Sequence, residues 1–187
     1  QYSNKEALKM LINGEGFIDN FTWNKLYRRE ILSNILFSEG SIFEDILWTP
    51  QIIHNAHLLV CVDCPLYHYI YRSESLSHNK HNLAKRVHDA IEMFEQRIIY
   101  IQKNNPILSK MTICKFQDYC WKLYLKICSN DNMLDLDGKI RHELYQHFYQ
   151  SGGKYIFEIN NLRMTFIRIL FRIFPDLCSK MYIFFTK

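Results

Sequence analysis

From about residue 81 onward, apolar side chains recur at helical spacing along almost the whole chain. The pattern predicts four helices, at about residues 81–103, 107–129, 138–151 and 155–174. Only 6 glycines and 4 prolines occur among the 187 residues, which argues against a turn-rich all-β fold. The sequence therefore predicts a helix-rich protein whose second part, residues 80–187, is a helical extension.

The first 79 residues show a mixed pattern of helix and strand. A helix is expected over residues 3–13, ending at Gly14, and a second helical pattern covers residues 28–37. Residues 17–27 are rich in aromatic and β-type side chains and predict a strand or an extended segment, and two short strands are predicted at 58–63 and 66–71. This part is expected to be an α/β fragment.

One segment in this part carries a specific helix-start signal. Ser41-Ile-Phe-Glu44 matches a capping box, in which the serine and glutamate side chains each bond the other residue's backbone N–H. The signal predicts a helix beginning at Ile42, with Glu44 as its cap. Pro50 is expected to kink or restart that helix, because proline lacks a backbone donor.

Composition excludes several classes of protein. A hydrophobic share of 48% with a net charge of +4 is incompatible with intrinsic disorder. No stretch of about 20 uninterrupted apolar residues predicts a membrane-spanning helix. Six cysteines, of which only Cys61 and Cys64 form a Cys-x-x-Cys pair, favour reduced and mostly buried thiols in a cytoplasmic protein. No signal peptide follows Gln1, so a processed piece or an excised fragment is expected.

The positive charge is concentrated at the C-terminal end. Residues 160–187 carry five basic side chains and one acid, and Asn161, Thr165, Arg168 and Arg172 form one polar stripe on a helical wheel. Two interpretations stay open. This basic amphipathic tail lies on an anionic membrane surface, at the inner face of the plasma membrane, or it packs on the preceding helices with its arginines in water. Nucleic acid is a poor fit as a partner.

Four ordered motifs carry a resemblance to a known family. They are Trp23-Asn-Lys-Leu-Tyr27, the segment Phe37 to Asp45, Pro65-Leu-Tyr-His-Tyr69 and Arg72-Ser-Glu-Ser-Leu76. In this order and spacing they resemble the C-terminal part of a bacterial family 2 glycosyltransferase of GT-A type, of the kind used in polysaccharide biosynthesis. The resemblance covers about residues 3–79. It implies transfer of a sugar from a nucleotide-diphosphate donor to a glycan or lipid-linked acceptor, with inversion at the anomeric carbon.

The resemblance also implies roles for individual residues. Asp45 would be the general base that takes the proton from the acceptor hydroxyl, and its position near a helix N-terminus is expected to favour the carboxylate. Glu44 would be the supporting acid and helix cap. Arg72, Ser75 and Lys25 would bind the donor diphosphate. Trp23 would line the acceptor cleft, although a buried core position is an equally good interpretation of this tryptophan.

Other parts of such an enzyme are not found in this sequence. Family members bind the nucleotide and a divalent metal, Mg or Mn, on an N-terminal half that ends in Asp-x-Asp, and no such half precedes Gln1. The one Asp-x-Asp, Asp135-Leu-Asp137, is interpreted as a loop and cap for the next helix. His78 is a weak candidate metal ligand, and otherwise no metal site is predicted on this chain. We therefore expect the chain to be inactive by itself.

A second class of function stays open. In this alternative, the chain is a non-catalytic helical module for interaction or membrane docking. The two acids at residues 44 and 45 would have no catalytic role and would only stabilise the first turn of a helix.

Overall fold

The computed structural model describes residues 1–72, 75, 82–129, 135, 137–152 and 162–186. The chain divides into two compact units, Gln1–Ser109 and Lys110–Lys187. Helices dominate both, which confirms the helix-rich prediction. The boundary between the two packing units lies 30 residues after the predicted boundary at residue 79. It lies there because the first helix of the predicted extension packs within the first unit. The extent of a catalytic-domain part over residues 1–79 stays a prediction.

The first unit is built on three helices and one short pair of strands. The helices are α1 (Asn4–Asn13), α2 (Asp45–Asn55) and α3 (Leu83–Asn104). Strands β1 (Tyr2–Ser3) and β2 (Leu58–Leu59) pair antiparallel, with Tyr2 opposite Leu59. Helix α2 packs against both α1 and α3, so it lies in the middle of the unit. The unit also contains short 3-10 helices at Arg29–Leu32 and Pro106–Leu108.

Helix α1 has the ends that the sequence predicts. A capping box joins Ser3 and Glu6: the Ser3 hydroxyl accepts from the Glu6 N–H at 3.3 Å, and the Glu6 carboxylate accepts from the Ser3 N–H at 2.9 Å. The helix ends at Gly14, whose left-handed backbone (φ 66°) favours glycine. The buried Leu8, Leu11 and Ile12 fix the helix on the core.

The start of α2 differs from the prediction. The helix begins at Asp45 rather than Ile42, and Glu44 precedes it without a side-chain cap. The capping-box prediction at Ser41 and Glu44 is therefore wrong. The Ser41 N–H, which the box would give to Glu44, donates instead to the Ser38 carbonyl at 3.4 Å. The next N–H, that of Ile42, donates to the carboxylate of Asp89 on α3. The helix continues through Pro50, which is buried.

The predicted strands are largely absent from the described part of this unit. Residues 17–27 and 66–71 have no ladder partners there, and only Leu58–Leu59 of the predicted strand 58–63 pairs. The predicted helix over 28–37 is reduced to the 3-10 helix. Short extended segments need a neighbouring strand to form a sheet, and the described residues supply only β1.

The second unit consists of α4 (Ser109–Ser129), α5 (Lys139–Gly152), α6 (Leu162–Ile173) and α7 (Pro175–Thr186). Helices α4 and α5 match the predicted helices at 107–129 and 138–151. Helix α6 lies within the predicted helix at 155–174, whose residues 155–161 lie outside the described residues, and α7 was not predicted. Phe171 of α6 is fully buried and makes edge-to-face contacts with Tyr124 of α4 and Phe148 of α5, at centroid distances of 5.0 and 4.9 Å. This aromatic cluster holds α6 to the two helices before it.

Two predictions about the second unit's polar residues have different outcomes. Asp135 accepts from the Ile140 and Arg141 N–H groups at 3.0 Å, and Asp137 accepts from the Lys139 N–H, so this Asp-x-Asp caps α5 as predicted. The arginine stripe of α6 is not in water, because Arg168 is only 2% exposed and pairs with Asp118 of α4. Of the six thiols, only Cys120 and Cys178 are buried, and Cys61 and Cys64 are exposed, so the prediction of mostly buried thiols is wrong.

No helix among the described residues is long and apolar enough to cross a bilayer.

Candidate functional site

Asp45 occupies the first position of α2, and its side chain is half-buried. Burial, followed by the neighbouring carboxylate of Glu44, raises the pKa of Asp45 to about 6. The Ile46 N–H and the Lys25 ammonium oppose this rise without cancelling it. The expectation that the helix end would favour the carboxylate is therefore outweighed by desolvation. At pH 7 a carboxyl with this pKa is still mostly ionised, and it lies close to the value that suits a general base.

A polar loop of residues 19–25 lies beside Asp45. Lys25 Nζ contacts the Asp19 carboxylate at 2.7 Å, the Phe21 carbonyl at 2.5 Å and the Asn24 side-chain oxygen at 2.7 Å. Asp19 also accepts from the Asn24 side chain and the Phe21 N–H. All three ammonium hydrogens of Lys25 are thus used inside the loop. Its predicted contact with a donor diphosphate would need one of these bonds to open.

Two side chains anchor this loop to the helices. The Thr49 hydroxyl of α2, one turn after Asp45, donates to the Asn20 carbonyl at 2.7 Å. Arg97 of α3 donates from Nη1 to the Asn20 side-chain oxygen at 3.3 Å. Both anchors are buried, Thr49 completely and Arg97 with 4% exposed. The loop and the N-terminal half of α2 are therefore held in one arrangement.

Arg97 is a residue that the motifs did not identify. It makes no ion pair with any residue that the structure describes, and its Nε has no hydrogen-bond partner there. Burial lowers the pKa of Arg97 to about 10, and the negative charge of Asp45 opposes that shift. The sequence did hold a signal, because Arg97 interrupts a buried face of α3 on which Ala90, Met93 and Ile101 follow helical spacing.

Tyr27 completes the electrostatic surroundings of Asp45. Its hydroxyl donates to the Thr22 carbonyl at 3.3 Å, and its ring packs edge-to-face on Trp48. Burial, with the charges of Asp19 and Asp45, raises the pKa of Tyr27 to about 12. This phenol therefore stays protonated throughout the physiological range and can act only as a hydrogen-bond donor or acceptor, not as a base.

Exposed aromatic rings bring two of the motifs together. Trp23 stacks on Phe21, and its ring centroid lies 4.3 Å from that of Tyr67 and 5.3 Å from that of Tyr69. Trp23 is 40% exposed, and both tyrosines are more than half exposed. The interpretation of Trp23 as a core aromatic is therefore wrong. The four rings, which we call the aromatic platform, present flat apolar faces at the surface.

Comparison with protein-family models, with curated proteins and with solved structures finds no match. The function must therefore be inferred from the residues and their geometry.

The predicted donor-binding residues are only partly described. Arg72 is exposed and makes no described side-chain contact with Asp45 or Lys25, and its carbonyl accepts from the Ser75 N–H at 3.1 Å. Ser75 is half-buried. His78 lies outside the described residues. Asp45, Glu44 and Lys25 are thus brought together, and Trp23 lies on the same loop, while the roles of Arg72, Ser75 and His78 stay predictions.

The described residues do not fit the divalent metal that the resemblance implies. Within them, no three His, Cys, Asp or Glu side chains converge as a metal site would need. The carboxylates of Asp135 and Asp137 are engaged at the start of α5. A pocket of the second unit, lined by Tyr124, Arg141, His142 and Tyr145 among others, contains none of the predicted site residues. No step of a reaction is assigned to a metal on this chain.

Proposed function

We propose that this chain is the acceptor-side part of an inverting glycosyltransferase of GT-A type, with Asp45 as its general base. The observation that carries the proposal is the environment of Asp45. A half-buried carboxyl with a pKa of about 6 lies at the start of a helix, next to the loop that presents the exposed aromatic platform. A titratable group perturbed in this way is a physical marker of a functional site.

The proposed chemistry uses the chain's own residues for one half of the reaction. The Asp45 carboxylate accepts the proton of the acceptor hydroxyl while the hydroxyl oxygen attacks the anomeric carbon. The bond between that carbon and the donor diphosphate breaks, and the diphosphate leaves with the electron pair. Burial, followed by the neighbouring carboxylate of Glu44, raises the pKa of Asp45 to about 6, which helps this carboxyl to accept the proton.

The aromatic platform supports a carbohydrate acceptor. Ligand sites combine apolar and aromatic surfaces with a few placed polar groups, and the C–H face of a pyranose offers a flat apolar surface of matching kind. Trp23, Tyr67 and Tyr69 supply that surface, and the loop that contains Lys25 supplies the polar groups. We propose that the nucleotide, and the divalent metal Mg or Mn, are bound by residues outside this chain, with Arg72 and Ser75 closing over the diphosphate.

The test is a transfer assay on the complete product of the gene. Release of nucleoside diphosphate is measured across a panel of nucleotide sugars with glycan and lipid-linked acceptors, in the presence of Mg²⁺ or Mn²⁺. Removal of a general base typically lowers the rate by about 10²–10⁴-fold, so Asp45→Asn should lose turnover by that factor while donor binding changes less than about twofold. Glu15→Gln, which changes an exposed carboxyl outside the four motifs, is the matched control.

Two results would contradict the proposal. Full turnover by Asp45→Asn would remove the base assignment. If the gene encodes no nucleotide-binding half with an Asp-x-Asp motif and the product releases no diphosphate from any donor, the non-catalytic module becomes the better account.

A further inference from the structure

Two arginines of helix α6, Arg168 and Arg172, make contacts with the preceding helices. Arg168 Nη2 donates to the Asp118 carboxylate at 2.5 Å and to the Cys114 carbonyl at 3.0 Å, both on α4. Arg172 Nη1 donates to the Tyr149 carbonyl of α5 at 3.2 Å, and its guanidinium lies 4.0 Å from the centroid of the Tyr149 ring. The polar side of the helix is thus used for internal contacts, and the opposite side of α6 is apolar.

That opposite side and the following helix expose large apolar residues. Six of them are between 44% and 79% exposed: Phe166, Ile173, Phe174, Leu177, Met181 and Phe184. Phe166 and Ile173 are seven residues apart on α6, and Leu177, Met181 and Phe184 follow i, i+4, i+7 spacing on α7, so each helix presents one apolar face. We call these six residues the outer stripe. Exposed apolar surfaces of this extent mark interaction sites.

Charge distinguishes among the occupants that the outer stripe could accept. Residues 110–187 carry 12 Lys and Arg against 7 Asp and Glu, whereas residues 1–109 carry 11 against 12. The whole positive excess thus belongs to the unit with the outer stripe. Lys180 is exposed on α7 between Leu177 and Met181, and Lys122 and Lys126 are exposed on α4. A positively charged unit repels a second copy of itself and attracts an anionic surface.

The lengths of α6 and α7 decide whether these helices could span a membrane or only lie on its surface. Helices α6 and α7 have 12 residues each, which corresponds to about 18 Å. A bilayer's hydrocarbon core is about 30 Å thick, so neither helix can cross it. A short helix with one apolar face and a flanking lysine, as Lys180 is on α7, is typical of segments that lie in the plane of the membrane interface.

We propose that the outer stripe inserts into the interface of an anionic lipid bilayer, with α6 and α7 lying along the surface and Lys180 at the headgroups. This differs from the sequence-based expectation, in which Arg168 and Arg172 would meet the lipid. It does not depend on the proposed glycosyltransferase activity. An enzyme with a lipid-linked acceptor would nevertheless be placed near its substrate by such a contact.

The test measures sedimentation of the full chain with vesicles. Wild type should bind vesicles of phosphatidylcholine and phosphatidylglycerol at 3:1 at least tenfold more tightly than vesicles of phosphatidylcholine alone. Phe166→Ser/Leu177→Ser should weaken binding to the anionic vesicles at least tenfold. The matched control, Ile99→Ser/Ile107→Ser, removes two apolar residues of the first unit that are 65% and 90% exposed, and should bind like wild type.

Further measurements keep the proposal falsifiable. Circular dichroism checks that the double variant is folded, and if it is not, Lys180→Glu takes its place and should weaken binding to anionic vesicles severalfold. Unchanged vesicle binding in the folded variants overturns the proposal. A second result also overturns the proposal: wild type does not bind vesicles, light scattering shows that it is a dimer, and Phe166→Ser/Leu177→Ser is a monomer. The outer stripe would then be covered by a second copy of the chain.

Discussion

The carboxylate of Asp89 accepts a hydrogen bond from the backbone N–H of Ile42, with 2.9 Å between the two atoms, and it also binds the Lys85 ammonium at 2.7 Å. This contact joins α3 to the segment before α2. The helix itself begins three residues later, with Asp45 as its first residue. Asp89, 44 positions after the candidate base, thus holds the segment that leads into the helix carrying that base.

Replacing Asp89 should therefore disturb the start of α2. Asp89→Ala leaves a part-buried N–H without its acceptor, and the loss of such a hydrogen bond typically costs about 1 kcal/mol, so the free energy of unfolding in urea should fall by about that amount. The Ile42 amide should also exchange faster with deuterium. Glu92→Ala on the same helix is the control, because Glu92 is exposed and bonds only Gln96. Equal losses in the two variants would contradict the assigned role.

The two Ser-x-x-Glu segments of the chain should respond differently to the same substitution. Ser3→Ala removes a formed cap from α1 and should lower the free energy of unfolding by about 1 kcal/mol. Ser41→Ala should change it by less than about 0.5 kcal/mol, because Ser41 caps no helix. Chemical denaturation of the two variants measures both values. A larger loss for Ser41→Ala would show that α2 begins at Ile42 in solution.

Stability should depend on pH through Asp45. Its pKa is about 6 in the folded chain and about 3.8 without structure, so the folded state binds the proton more tightly and stability falls as pH rises from about 4 to 6. Asp45→Asn removes this penalty. We expect the variant to gain on the order of 1–3 kcal/mol over wild type at pH 8, and little at pH 4.

Thermal unfolding at several pH values measures this difference. Asp137→Asn is a control of opposite sign: hydrogen bonding to Lys139 lowers the pKa of Asp137, so its neutralisation should destabilise the protein as pH rises above about 4. Equal stability of wild type and Asp45→Asn at pH 8 would mean that Asp45 is well solvated.

Arg97 should hold down the pKa of Asp45. The attraction between the two charges is reciprocal, so the carboxylate that favours the Arg97 cation is itself favoured by it. Arg97→Met should raise the pKa of Asp45 above about 6, and Arg97→Lys should largely preserve it. Carbon-13 NMR of labelled aspartate carboxyls follows this titration directly. An unchanged pKa in Arg97→Met would mean that solvent screens the pair.

Short-range patterns fixed a substantial part of the fold. The α1 cap at Ser3, its end at Gly14 and the cores of α3, α4 and α5 follow from residues within a few positions of one another. Helices are predictable in this way because their hydrogen bonds are local. Strands are not, since each needs a partner elsewhere in the chain. The predicted strand over 66–71 therefore has no ladder partner among the described residues.

The candidate site was predictable in its residues but not in its electrostatics. The motifs identified Asp45, Trp23 and Lys25, which the fold places on one helix start and the loop beside it. Neither the buried Arg97 nor the three bonds of Lys25 could be inferred from spacing, because they depend on which side of α3 meets the loop. The pKa of Asp45 is raised rather than lowered because its carboxyl is desolvated, and a sequence does not specify desolvation.

The sequence by itself determined that the chain is helical, where most helices lie and which acidic pair stands at the start of α2. Only the three-dimensional structure shows that α2 begins at Asp45, and tertiary packing decided that Arg168 faces inward and that the apolar side of α6 and α7 faces outward. The physical reason is the sequence separation between the residues that interact. Helix periodicity and caps are set by neighbours three or four residues apart, whereas the burial of a charge is set by residues 40 or more positions away.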